Sequence, residues 1–236
     1  MQFVYLHGFA SSPRSGKAQF LQAKFREVGQ ELWIPDLNMG DFCHITISQI
    51  LDYLQAETQS CQALTVIGSS LGGFIASQWA IRHPSIERLI LLAPAFRFPE
   101  TLSAWLGETE IRQWETTGSR RFWHYGAGQE LPLHYEFFTD AQLYVHSLDR
   151  ALPIEILHGV EDTVVPYTLS QEFAQSRPWV NLHLLDSDHS LAQPSDLKLL
   201  WQIVYQCMTA PAEQLPAYAE AVPPVPPSSG DSSPFP

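Results

Sequence analysis

The chain is poor in basic residues and in cysteine, and it has no long apolar run. Lysine and arginine number 13 against 25 aspartates and glutamates, a formal net charge of −12. That balance repels polyanions, so neither nucleic acid nor an anionic membrane surface is expected as a partner. There are three cysteines, Cys43, Cys61 and Cys207. An odd number without metal-type spacing predicts no disulfide framework and no metal site. They read as reduced thiols of a cytoplasmic protein. No apolar stretch approaches the roughly 20 residues a membrane span requires. The start, Met1 to Leu6, lacks a basic segment and a small-residue cleavage site. It reads as a strand, not as a secretory signal.

What is present suits a single α/β domain. The chain has 236 residues, 45% of them apolar and 12% aromatic. That suffices for a core and an apolar pocket without covalent staples. Short apolar runs alternate with helical patterns. Strands are predicted at Phe3–His7, Glu31–Ile34, Ala63–Ile67, Arg88–Leu92, Ile154–His158 and Leu182–Leu185. Helices are predicted at Ser15–Gly29, Ile45–Gln59, Leu71–Arg82 and Leu191–Tyr205. In the first helix Leu21, Phe25 and Val28 share one face. Strands that read as continuous apolar runs between helices imply a mostly parallel, doubly wound sheet covered by helices on both faces.

Two segments depart from this pattern. About sixty residues, far more than an ordinary crossover, separate the strand ending at Leu92 from the one starting at Ile154. Aromatic residues crowd this insertion, roughly residues 96–150. A hairpin is predicted there, with arms Arg121–Tyr125 and Leu133–Phe138 around Gly126-Ala127-Gly128. The insertion reads as a cap over a site; the plainer alternative is additional aromatic core. The α/β domain so outlined spans residues 1–208. The second departure is the tail, 209–236, which holds eight of the 18 prolines. Its composition predicts a disordered, solvated segment. The sharper alternative is a polyproline ligand for a protein partner.

The chemistry concentrates at Gly68-Ser69-Ser70-Leu71-Gly72. An apolar strand precedes this Gly-x-Ser-x-Gly pattern and a helix follows it. That is the setting of a nucleophile elbow, in which Ser70 is the nucleophile. Ser69 lacks the glycine frame. A serine hydroxyl needs a base, and the base needs an orienting acid, in the chain order Ser, acid, His. Two downstream strand-end loops supply them. Asp162 is the candidate acid, preferred over Glu161. His189 is the candidate base; Asp186 and Asp188 read as solvated loop acids. His7 precedes the nucleophile and reads as structural. An oxyanion hole requires rigid N–H donors. Leu71 N–H and Phe9 N–H are the candidates, with Ala10 second to Phe9.

The run His7-Gly8-Phe9-Ala10-Ser11-Ser12-Pro13-Arg14-Ser15-Gly16-Lys17, together with Gly68-Ser69-Ser70-Leu71-Gly72-Gly73, resembles the YqiA/YcfP-like α/β-hydrolases, the UPF0227-type esterases. His158-Gly159-x-x-Asp162-x-x-Val165-Pro166 is similar to the acid loop of many α/β-hydrolases. The resemblance covers residues 1–207 or so. It implies an α/β-hydrolase fold and a cytosolic, cofactor-free hydrolase of small carboxylic esters or thioesters. It carries the nucleophile, acid and base roles to Ser70, Asp162 and His189. Ser187-Asp188 stand before His189 where many relatives have a glycine, and the aromatic insertion is longer than in compact members. Peptide hydrolysis, C–C hydrolysis, acyl transfer and non-catalytic binding remain open alternatives on the same scaffold.

Overall fold

The computed structural model describes residues 2–144 and 147–209. The proline-rich segment from 210 onward lies outside the described residues. In chain order the first elements are β1 (Gln2–Leu6), α1 (Gly16–Glu27), β2 (Leu32–Trp33), α2 (Ile47–Thr58), β3 (Leu64–Ser69), α3 (Leu71–Arg82) and β4 (Ile86–Leu92). The insertion follows as α4 (Phe98–Leu106), α5 (Glu108–Thr117), β5 (Ser119–His124), β6 (Gln129–His134) and α6 (Glu136–Ala141). The described residues end with β7 (Ile154–Gly159), α7 (Thr168–Gln175), β8 (Val180–Leu185) and α8 (Pro194–Thr209).

Six strands form one sheet in the order β2-β1-β3-β4-β7-β8, every neighbouring pair parallel. Side chains of a strand alternate between faces, and here each face feeds its own cluster. Val4 and Leu6 of β1 join a core with Phe74 and Trp79 of α3. Phe3 and Tyr5 join the other core, with Leu21 and Phe25 of α1 and Val204 of α8. Each fully buried side chain of this kind contributes about 1.5–3 kcal/mol of transfer free energy. Helix α2 starts where Thr46 accepts from Gln49 N–H at 3.1 Å while the Gln49 side chain accepts from Thr46 N–H at 3.0 Å. This capping box fixes its first turn.

Three sequence expectations shift. Val28 does not belong to the buried face of α1; the helix ends at Glu27 and Val28 is 38% exposed. The last helix begins at Pro194 rather than Leu191, because Leu191 turns through a positive φ of 45°. The second hairpin arm is Gln129–His134, not Leu133–Phe138. The aromatic run after it forms α6 instead, with Phe137 and Phe138 buried. Helices α4, α5, α6 and α7 had no sequence forecast.

The insertion is partly core. Trp114, Phe122 and Phe137 are buried, and Trp114 Nε1 donates to the Leu133 carbonyl at 2.8 Å. Trp105, Trp123 and Tyr125 are exposed.

Candidate active site

Parallel α/β sheets build sites beyond the carboxyl ends of their strands, and four such ends matter here. β3 ends in the elbow, where Ser70 takes φ 55° and ψ −115°, a strained conformation for a residue with a Cβ. The chain can turn this sharply because of its glycines. A Cβ on Gly68 would lie 2.4 Å from the Gly72 carbonyl oxygen. Ser70 N–H donates to the Leu92 carbonyl at 2.9 Å, and the Ser70 carbonyl receives Gly73 N–H at 2.9 Å. Ser70 caps α3, so its side chain stands at the positive end of that helix.

The loops after β7 and β8 are bound to each other. Val160 N–H donates to the Leu185 carbonyl at 2.9 Å, and Glu161 N–H to the Ser187 carbonyl at 3.1 Å. Gly159 permits this contact, since a Cβ there would lie 2.1 Å from the Ser187 oxygen. Ser187 is buried and its hydroxyl donates to the Asp196 carboxylate at 2.6 Å, anchoring the loop to the start of α8. Asp186 and Asp188 are both exposed, and Asp188 accepts from Ser190 N–H at 2.9 Å.

This scaffold brings Ser70, His189 and Asp162 into one hydrogen-bonded chain. His189 Nε2 lies 3.1 Å from Ser70 Oγ, and its Nδ1 lies 2.6 Å from Asp162 Oδ2. The Asp162 side chain is fully buried. Its Oδ1 accepts from Val164 N–H and Val165 N–H, both at 2.8 Å. Burial alone would raise the Asp162 pKa. Hydrogen bonds from His158 and His189, with Val165 N–H, outweigh it and hold the carboxyl well below the ordinary carboxylate range.

In the sequence His158 stands out only as part of the acid-loop motif. It is fully buried, with Nε2 3.1 Å from Asp162 Oδ2 and 3.0 Å from the Val165 carbonyl. Two acceptors facing one nitrogen place the proton on Nε2. Nδ1 then accepts from the Ser170 hydroxyl at 2.8 Å. The available signal was a histidine closing an apolar strand four residues before the acid. Lys17 is a second omission. Its ammonium donates to the Ser190 carbonyl, one residue past His189. Burial pulls the Lys17 pKa down, and the charges of Asp188, Asp196 and Asp162 oppose that.

The loop after β1 flanks the nucleophile. A Cβ on Gly8 would sit 3.5 Å from the Ser70 Cβ. Among the described residues, no hydrogen bond occupies the N–H of Phe9 or Leu71. His7 is buried; its Nδ1 lies 2.9 Å from the Gly8 carbonyl and its Nε2 accepts from Leu37 N–H at 3.1 Å. The Phe9 ring contacts Phe42 and three rings of the insertion, Phe98, Phe122 and Phe137. Tyr125 N–H donates to the Ala10 carbonyl at 2.7 Å.

The sequence profile of the uncharacterised protein family UPF0227 matches residues 2–205. The chain belongs to UPF0227. Beyond the family, it is 25% identical over 145 residues to the human mitochondrial palmitoyl-protein thioesterase ABHD10 and equally so to the Sumatran orangutan (Pongo abelii) protein. That match takes in 57% of this chain, and the chain spans about half the length of these curated relatives (47%). In structure it is similar to mouse alpha/beta hydrolase domain-containing protein 10, with a TM-score of 0.73 and 21% identity over 88% of this chain and 89% of that one. It is also similar to Est1E from Butyrivibrio proteoclasticus, solved with ferulic acid bound. There the TM-score is 0.69 at 20% identity, covering 88% of each chain. This UPF0227 chain has the α/β-hydrolase fold, with a parallel sheet flanked by helices. Among the described residues no helix is long and apolar enough to cross a membrane.

Proposed function

We propose that this UPF0227 protein is a serine hydrolase that cleaves small carboxylic esters or thioesters through an acyl-enzyme on Ser70. The observation that carries the reading is the continuous chain Ser70 Oγ–His189–Asp162 at 3.1 Å and 2.6 Å. His189 takes the Ser70 proton as the oxygen attacks the acyl carbonyl. Asp162 holds the proton on His189 Nδ1, which leaves Nε2 free to act as base. The oxyanion is received by the N–H groups of Phe9 and Leu71. His189 then protonates the departing alcohol or thiol. Water, deprotonated by His189, attacks the acyl carbonyl, and the acid leaves as Ser70 regains its proton. None of these steps uses a cofactor.

The insertion acts as a cap that limits the acyl group. Three of its rings pack on Phe9, the residue that offers an oxyanion donor. The name of the human relative, a palmitoyl-protein thioesterase, supports keeping thioesters within the substrate class.

The test is steady-state hydrolysis of p-nitrophenyl acetate by wild type and Ser70→Ala. The variant is expected to lose about 10⁴-fold or more in kcat. Wild-type turnover in the variant would refute the reading.

A further inference from the structure

We propose that Cys43, His44 and His134 form a binding site for a divalent transition cation of the zinc type. Cys43 and His44 lie between β2 and α2, whereas His134 ends β6 in the insertion. The fold brings the Cys43 sulfur and one ring nitrogen of each histidine within 4.8 Å of one another. The two imidazole rings are 4.3 Å apart, centroid to centroid. Ninety residues separate Cys43 from His134, so no local spacing in the sequence marks the cluster.

The donor set decides the class of ion. One thiolate and two imidazoles suit zinc and its neighbours, whereas calcium and magnesium require oxygen ligands. A tetrahedral ion holds such donors about 3.3–3.7 Å apart, so the side chains need close by no more than about 1.5 Å. The exposed His44 ring has room to do so. Cys43 and His134 are half-buried, which leaves a fourth position open to water.

The cluster is supported as metal sites usually are. Asp41 Oδ2 pairs with His44 Nδ1 at 2.7 Å, which leaves the Nε2 lone pair for the metal. The other carboxylate oxygen accepts from Cys43 N–H at 3.0 Å. His134 N–H donates to the Cys43 carbonyl at 2.9 Å, fixing the two segments against each other. A carboxylate behind a ligating histidine fixes its tautomer and orients the ring. On binding, the Cys43 thiol gives its proton to solvent, and the sulfur lone pair replaces a water on the aqua ion. No electron is transferred.

Such an ion straps the hairpin to the loop that carries Phe42. The Phe42 ring contacts Phe9 at 5.9 Å and His124 of the hairpin at 4.7 Å. The site is separate from the Ser70 chain and stands whether or not that chain hydrolyses esters.

The experiment is titration of the untagged full chain with Co(II), following the thiolate-to-cobalt charge-transfer band and the visible d–d bands. Zn(II) competition gives the affinity, and circular dichroism checks folding. The expected result is one equivalent of cobalt with a thiolate band that survives Cys61→Ser and vanishes in a folded Cys43→Ser variant. His134→Ala should weaken binding more than about 100-fold, and Asp41→Asn by about 10–100-fold. Absence of stoichiometric binding would overturn the proposal. So would a charge-transfer band that survives Cys43→Ser and disappears in Cys61→Ser, or an unchanged affinity in folded His134→Ala.

Discussion

Gly72 of α3 lies so close to β1 that a Cβ on it would sit 2.1 Å from the carbonyl oxygen of Leu6 and 2.7 Å from that of His7. The second glycine of the elbow motif is thus required by backbone contact with the neighbouring strand, independently of any chemistry. Gly72→Ala must push the start of α3 off β1, at a cost of about 3 kcal/mol or more. Gly16, with open space around its Cβ direction, is the control. Gly16→Ala is expected to stay within about 1 kcal/mol of wild type. Thermal denaturation of both variants checks the contrast, with a melting temperature roughly 6–12 °C lower for Gly72→Ala alone.

His158 acts on the site through Asp162. Its Nε2–H reaches a carboxylate that also holds His189. A hydrogen bond to a charged group contributes about 1.5–3 kcal/mol. His158→Phe keeps a ring in the buried space and removes the donor. The expected outcome is a kcat lower by about 10–100-fold with KM little changed. Ser170→Ala, one bond further out, should cost about tenfold or less. Steady-state kinetics on one ester distinguishes them; equal effects would place His158 in packing rather than in positioning.

The depressed pKa of Asp162 links ionisation to folding. Its folded value lies below the ordinary 3.8, so the native state favours the charged carboxylate. The resulting stability is fully present above the unfolded value and is lost as pH falls through the folded one. Asp162→Asn should therefore be less stable than wild type at neutral pH. The gap between their melting temperatures should hold down to about pH 4 and narrow below it. Scanning calorimetry between neutral and acid pH is the measurement. A gap that widened on acidification would contradict the assignment.

Lys17 gives a physical reason for the Ser15-Gly16-Lys17 part of the family motif. From α1, its ammonium binds the Ser190 carbonyl, next to His189. Lys17→Met should lower kcat several-fold by loosening the base, about 1 kcal/mol of lost positioning. Lys17→Arg should recover part of the loss. Unchanged kinetics in Lys17→Met would reduce the contact to a surface bond.

The sheet and the candidate site are legible in the sequence for different reasons. Strands such as Leu64–Ser69 are buried on both faces, so they appear as unbroken apolar runs. Ser70, Asp162 and His189 stand at strand ends, where local context marks them without any knowledge of packing. The second hairpin arm was misplaced because Pro132 falls within it, opposite Arg121, and proline argues against a strand unless the strand is an edge. A two-stranded ribbon has only edges. His158 is not legible in the sequence because its contacts depend on a buried tautomer that spacing does not reveal. The Cys43, His44 and His134 cluster was invisible because only the tertiary fold joins β6 to the loop before α2.

Covalent labelling of the Ser70 oxygen, which attacks the phosphorus of a fluorophosphonate and expels fluoride, bears most directly on the whole account. The measurement is intact-mass spectrometry of the folded chain after reaction with a fluorophosphonate, followed by peptide mapping. One adduct per chain, located on Ser70 and absent from Ser70→Ala and from denatured protein, is the predicted result. An unlabelled native chain, or a label that persists on Ser70→Ala, would contradict it.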